Sequence, residues 1–294
     1  MKLVIPTHNR AELITTPFLD VFADFDKCII FHSEEALKEY KKFKDYENIE
    51  CVVTNIPASN DGTAKAKNIK YYLDNFVKDN EWVLFADDNV VNVEGLITQS
   101  LWEENFLENK TANDFDLYDY KLFNKRFLEI VKHADEVGAK MVGFQTSKNW
   151  FYSHKKYRYR GYVLGKMYAW KKDNSFNYHL PFVPMEDFHF SAMHLVNYGL
   201  LLLCDYLWPN AVHFQGGGLG TRDERYDNHK YATKYLAKKY PQLLKKKNRP
   251  DDYPDLRFPY MSDDKFYYWR NKYIEFIKEY KFNDKEMSWE KIRI

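Results

Sequence analysis

The sequence predicts an α/β fold, a mostly parallel sheet flanked by helices and followed by a helical C-terminal extension. Three observations lead there. Short apolar runs alternate with helix-length amphipathic stretches from Leu3 to Ala86, a pattern that builds parallel strands joined by right-handed crossovers. The runs are nearly continuous in β-branched and aromatic residues, as strands buried on both faces require. The fourth run, Trp82-Val-Leu-Phe-Ala86, stops abruptly at Asp87-Asp88-Asn89. Acids at a strand's carboxyl end face the crevice where open α/β sheets bind ligands.

The first run, Leu3-Val-Ile-Pro6, is followed by the polar residues Thr7, His8, Asn9 and Arg10. An amphipathic stretch over 12–25 leads to a second run, Cys28 to His32. A helix-like stretch over 34–43 leads to a third, Ile49 to Thr54. Residues 63–77 are again helix-like and precede the fourth strand. Acids concentrate between Glu103 and Asp119, which predicts a solvated, acidic helical insert over about 93–137. Met185-Glu186-Asp187-Phe188 opens a further helix-like segment that closes at Tyr198-Gly199, and Leu200 to Trp208 is strand-like. The tail from Ser262 to Ile294 reads as helix, with Ser262-Asp263-Asp264 as a capping start. The expected division is a catalytic domain over 1–220 and a basic, helical extension over 221–294 packed on it.

Composition narrows the class. With 294 residues and 45% hydrophobic content, one large core is attainable. No run approaches the about 18 apolar residues of a membrane span, so no membrane partner is expected. The three cysteines, Cys28, Cys51 and Cys204, lie in apolar strand-like runs; they read as reduced core residues, not a disulfide frame or zinc site. No signal-peptide pattern opens the chain, and the expected compartment is the cytoplasm. There is neither a Gly-x-Gly-x-x-Gly after the first strand nor a Gly-Lys-Ser/Thr loop, which excludes the usual dinucleotide and P-loop enzymes.

The formal net charge of +1 gives no domain-wide basic signal, but the charge is unevenly placed. Residues 145–172 contain no acid and carry Lys148, Lys155, Lys156, Arg158, Arg160, Lys166, Lys171 and Lys172, interleaved with aromatics such as Trp150, Tyr157, Tyr159 and Tyr162. Cations that track phosphates and rings that stack on bases are the ingredients of a nucleic-acid groove. Alternation around Lys156-Tyr157-Arg158-Tyr159-Arg160 suggests a hairpin with one basic face. A second acid-free run spans 230–250. Solvated surface is the plain alternative for both.

Pro6-Thr7-His8-Asn9-Arg10, the basic Ala64-Lys-Ala-Lys-Asn68 helix start, Asp87-Asp88-Asn89, Glu186-Asp187 and His213 stand in one order. That order resembles the GT-A nucleotide-sugar glycosyltransferases. In that family the acidic motif at the strand end is Asp-x-Asp, and it binds a divalent metal, usually Mn or Mg, with the donor's ribose and diphosphate. Asn89 departs from the pattern, supplying an amide oxygen where the family has a carboxylate. The stretch Gln215-Gly-Gly-Gly-Leu-Gly-Thr-Arg222, with Arg225 and a helix-like segment ending Lys239-Tyr-Pro241, is similar to the TET/JBP-associated glycosyltransferases. Those are mostly phage enzymes that act on hydroxymethylated pyrimidines in DNA.

The resemblance implies roles residue by residue. Asp88, Asn89 and His213 would hold the metal. Pro6, Thr7, His8, Arg10, Lys67 and Asp87 would contact the nucleotide-sugar donor, with UDP-glucose as the default. Gly217 and Gly218 would offer backbone amides to the diphosphate, and Arg222 or Arg225 would neutralise it. Asp187, with Glu186, would supply the base for the acceptor hydroxyl. Lys155, Lys156, Tyr157, Arg158, Tyr159 and Arg160 would hold DNA bearing a hydroxymethylated pyrimidine, in the host cytoplasm if the protein is phage-encoded. Alternatives remain at this level. Asp-Asp-Asn also suits a turn, Glu-Asp suits any helix N-terminus, and a lone His on an apolar run suits a core; His189 and His194 are expected to be structural. Two rival functions are a GT-A enzyme with a glycan or small-molecule acceptor, and a non-catalytic nucleic-acid-binding module on a degenerate GT-A scaffold. Oligomeric state is not legible.

Overall fold

The computed structural model describes residues 1–8, 10–40, 43, 48–57, 63–95, 120–145, 157–175, 185–212 and 221–293. Strands and helices alternate through the first part: β1 (Lys2–Thr7), α1 (Thr16–Val21), β2 (Asp26–Phe31), α2 (Glu34–Glu39), β3 (Ile49–Val53), α3 (Thr63–Phe76) and β4 (Trp82–Ala86). Then come β5 (Val90–Gly95), α4 (Tyr120–Val137), β6 (Met141–Phe144), β7 (Tyr157–Arg158), β8 (Met167–Lys171), α5 (Glu186–Tyr198), β9 (Leu202–Cys204) and β10 (Leu207–Ala211). The C-terminal part holds α6 (Tyr226–Lys239), β11 (Lys245–Lys246), β12 (Leu256–Arg257), α7 (Asp263–Glu279), β13 (Tyr280–Asn283) and β14 (Ser288–Lys291).

The central sheet runs β3-β2-β1-β4-β8-β6-β9-β7. β3, β2, β1 and β4 are mutually parallel, β8 is antiparallel to β4 and β6, and β6 and β9 are parallel. The expected α/β class, a mostly parallel sheet flanked by helices, is the observed one. Side chains alternate across a strand, and both faces here are apolar. Leu3, Ile5, Ile29, Phe31 and Leu84 join Phe18 and Phe22 of α1 and Phe127 and Ile130 of α4 in one core. Val4, Cys28, Ile30, Val83 and Phe85 join Ile69 and Tyr72 of α3 and Phe190 of α5 in the other. None of the three cysteines is in a disulfide; Cys28 and Cys204 are buried in the core as expected, whereas Cys51 is only half-buried.

The C-terminal elements belong to the second core. Leu236, Tyr240, Trp269 and Phe282 pack in the same cluster as Val4 and Phe85. They also satisfy helix ends, whose last carbonyls lack partners within the helix. Arg270 of α7 donates from Nε to Val196 O (2.7 Å) and from Nη2 to Asn197 O (2.8 Å), closing the end of α5. Tyr273 donates to Lys239 O (2.7 Å) and Trp289 to Lys238 O (3.1 Å), closing α6.

Four local expectations need correction. The tail is not one helix: α7 ends at Glu279, and β13 and β14 form an antiparallel hairpin. Asn283 sets its turn by accepting from the backbone amides of Lys285 and Glu286. Ser262 precedes α7 in extended backbone, but its hydroxyl makes no capping bond. Residues 157–158 do not form a hairpin on themselves; they pair antiparallel with β9. Within the expected helical insert over 93–137, residues 93–95 are strand, part of β5 paired with β10, and α4 buries Phe127 and Ile130; residues 96–119, with the acidic stretch, lie outside the described residues. Among the described residues, no helix is long and apolar enough to cross a membrane.

Candidate active site

The carboxyl ends of β1 and β4, the start of α3, the turn before β8 and the first turn of α5 meet at one crevice. The alternation of β4 continues past its end, so its two acids separate. Asp88 turns toward the chain after β1. It is buried to 2% exposure, with Oδ2 accepting from Thr7 Oγ1 (2.9 Å) and Oδ1 from Arg10 Nη2 (2.7 Å). Burial raises the Asp88 carboxyl, Arg10 opposes, and the neighbouring Asp87 adds to the rise, leaving it at about 6. Asp87 turns toward α3. Its Oδ1 lies 2.7 Å from Lys65 Nζ, and its backbone amide donates to Lys166 O (2.7 Å), fixing β4 to the turn before β8. Its Oδ2 has no hydrogen-bond partner among the described residues.

Asn89 is 9% exposed and is held by two bonds to Val212. Its Nδ2 donates to Val212 O (2.9 Å), and its carbonyl accepts from Val212 N (3.0 Å). Asn89 Oδ1 is buried without a donor among the described residues. Unsatisfied buried acceptors are rare, and an amide oxygen in that condition suits a hard cation. The open Asp87 Oδ2 is a second oxygen of the right kind. Each Asp88 oxygen already accepts one hydrogen bond, which leaves a lone pair on each for a metal. No cluster of three His, Cys, Asp or Glu suited to a metal occurs among the described residues. The expected ligand His213 lies outside those residues, as do Gly217, Gly218, Lys155 and Lys156.

Across the crevice, Met185 precedes α5 in the left-handed region (φ 67°), an uncommon conformation for a non-glycine residue. Its side chain is buried, with the Thr233 hydroxyl of α6 on its sulfur (3.8 Å). This bend places Glu186 and Asp187 in the first turn. Asp187 Oδ2 accepts from the Tyr162 hydroxyl and from Gly165 N (3.1 Å), and Oδ1 accepts from Phe188 N (2.9 Å). A Cβ at Gly165 would meet Asp187 Oδ2 at 3.1 Å, a tight contact that the carboxylate would have to give way to by a few tenths of an ångström. Burial and the adjacent Glu186 push the Asp187 carboxyl up to about 6, against the pull of Tyr162, Lys65 and the Gly165 amide. Tyr162, half-buried beside that carboxylate, is held well above its ordinary value by desolvation and by Asp187, and remains a donor.

The sequence reading missed Lys65. It selected Lys67, which is exposed, whereas Lys65 reaches Asp87 Oδ1 (2.7 Å), Glu186 Oε1 (3.0 Å) and Gly165 O (3.0 Å). Burial opposes its charge, but Asp87 and Glu186 outweigh that and hold Lys65 well above its usual range. Helical phase is the signal that separates the two lysines: Lys65 lies one turn before the buried Ile69, and Lys67 two residues off that face.

The other predicted residues are distributed around this centre. Pro6 pairs with Ile30 inside the sheet. His8 and His32, at the ends of β1 and β2, bring their Nδ1 atoms to 3.4 Å; burial, His32 and Arg10 all lower His8. Arg225 is half-buried, and its charge is disfavoured by burial and by Arg10, which places two guanidiniums near one another. Arg222 pairs with Asp251 and stacks over Tyr253 (4.5 Å). Arg158 makes a two-pronged pair with the fully buried Asp205 (2.5 and 2.7 Å), and Arg160 pairs with Asp263. Tyr157 stacks on His133 (4.6 Å), and Tyr159 is exposed. His194 is a buried core residue with Nδ1 on Phe190 O (2.8 Å), and His189 bonds Tyr240 (3.0 Å), both structural as expected.

No family model matches this chain, and no curated protein matches it. Among solved structures, S. aureus TarS 1-349 aligns at a TM-score of 0.40 and 13% identity, over 80% of this chain and 64% of that one. The chain thus spans less than two thirds of the TarS chain.

Proposed function

We propose that this chain is a nucleotide-sugar glycosyltransferase of the GT-A type. One observation carries the reading: two acidic groups expected from separate motifs stand on opposite walls of one crevice, at the carboxyl end of a central strand and at a helix start. The donor would lie over Thr7, His8, Arg10 and Asp87, with Arg10 and Arg225 as cations near its diphosphate. A divalent cation, Mn or Mg, would be held by Asn89 Oδ1 and Asp87, with Asp88 and His213 as the further ligands the resemblance implies. When bound, such an ion supplies charge neutralisation for the leaving diphosphate. Asp187 takes the proton from the acceptor hydroxyl. Its elevated carboxyl is half-ionised near pH 6, which suits a general base working near neutrality.

The acceptor first proposed is a hydroxymethylated pyrimidine in DNA, with UDP-glucose as the first donor to test. A second reading, transfer to a glycan or small hydroxyl compound, is favoured by the pairing of Arg158 with Asp205 and of Arg160 with Asp263. Those arginines already carry partners and offer less charge to phosphates. Calorimetric titration of UDP-glucose and other nucleotide sugars, with and without Mn, tests the donor site. Metal-dependent binding that is lost in Asp87→Ala supports it; binding of no nucleotide sugar, with or without metal, contradicts it.

A further inference from the structure

We propose that Lys65 is a positioning residue that joins the two acidic walls of the site and reserves Asp187 as its proton acceptor. This rests on the reading of Asp187 as the base. A lysine ammonium has three N–H donors. Here three acceptors lie within 3.0 Å of Nζ: Asp87 Oδ1, Glu186 Oε1 and Gly165 O. The two carboxylates pair with the ammonium, and the Gly165 carbonyl accepts from it. Its acceptors come from β4, α5 and the turn before β8, so one charge fixes three elements at the crevice.

The same contacts divide labour between the adjacent acids. Glu186 pairs with Lys65 at 3.0 Å. Among the described residues Asp187 touches no cation within salt-bridge distance; its donors are the neutral Tyr162 hydroxyl and the Gly165 and Phe188 amides. The Gly165 peptide unit completes the arrangement. Its carbonyl accepts from Lys65 and its amide donates to Asp187, so displacement of Lys65 is transmitted to the base through one residue. Without the ammonium, Asp187 would lose the nearby positive charge that opposes burial and Glu186, and would hold its proton to higher pH.

The test compares Lys65→Gln and Lys65→Arg with the wild type by the pH dependence of sugar transfer, with kcat and KM resolved. Lys65→Gln is expected to move the acid limb of the kcat profile upward by about one pH unit. Lys65→Arg should return it toward the wild-type position. Adding Glu186→Gln to Lys65→Gln should also reverse part of the shift, because Glu186 is the charge left uncompensated. The Asp187 carboxyl is titrated in parallel by carbon NMR, identified by the signal missing in Asp187→Asn. If the wild type transfers no sugar, the functional reading fails, and the NMR midpoint alone decides the role of Lys65. An unmoved midpoint in folded Lys65→Gln, with only a lower melting temperature, overturns the proposal. Should Lys65→Gln not fold, an Arg variant with wild-type stability and an unmoved midpoint, but transfer reduced tenfold or more, would overturn it equally.

Discussion

At the residue scale, the structure separates three neighbouring acids by what each touches. Asp88 is engaged by Thr7 and Arg10, Asp87 by Lys65, and Asp187 by groups without charge. Asp187→Asn should lower kcat by about 100- to 10,000-fold, the usual contribution of a positioned base, while leaving donor affinity largely intact. The same change bears on stability. The folded-state carboxyl sits at about 6 against an ordinary 3.8, so the folded chain binds the extra proton between those values. The contribution of Asp187 to stability therefore falls as pH rises from about 4 to 6. Wild type should lose stability between pH 4 and pH 7, by on the order of 1 kcal/mol or more, that Asp187→Asn does not lose. Thermal melts at both pH values check this. Gly165→Ala should lower kcat more than it lowers stability, because the added carbon meets the Asp187 carboxylate and not the core; paired kinetics and melts separate the two.

At the element scale, legibility depended on period. The strands of the first half could be read because apolar runs buried on both faces leave an unmistakable pattern. The hairpin of β13 and β14 could not, because Phe282 and Trp289 fit a helical stripe as well as a pleated one, and packing on Tyr235 and Tyr273 decides between them. Lys65 was lost to Lys67 for a related reason: composition marks both lysines, and only helical phase against Ile69 selects one. The partners of Arg158 and Arg160 were invisible, since Asp205 and Asp263 lie 47 and 103 residues away. That pairing carries its own expectation. Arg158→Met would remove the cation paired with the buried Asp205 and should lower stability by about 1–3 kcal/mol, and Asp205→Asn in the same chain should recover part of it. Denaturant unfolding of the single and double variants measures this. Arg270→Met should lower stability by about 1–2 kcal/mol through the open end of α5, with little change in kcat, as assayed by melts beside kinetics.

At the scale of the whole molecule, the C-terminal helices and hairpin share a core with the sheet and close the ends of α5 and α6. They thereby fix the segment that carries Glu186 and Asp187. The order of the site residues along the chain was readable, because strand ends and helix starts bring them to the sheet's carboxyl edge by topology. Which acid meets which cation was not, because that depends on the alternation past the end of β4. The measurement that bears most directly on the function is transfer of labelled glucose from UDP-glucose, with Mn or Mg, to hydroxymethylated DNA and to a panel of glycan and small-molecule hydroxyls, by wild type and Asp187→Asn. The account predicts metal-dependent label on one acceptor class by the wild type, and loss of that label in the variant while UDP-glucose still binds. Undiminished transfer by Asp187→Asn, or no transfer and no hydrolysis by the wild type across a range of nucleotide sugars, would contradict it.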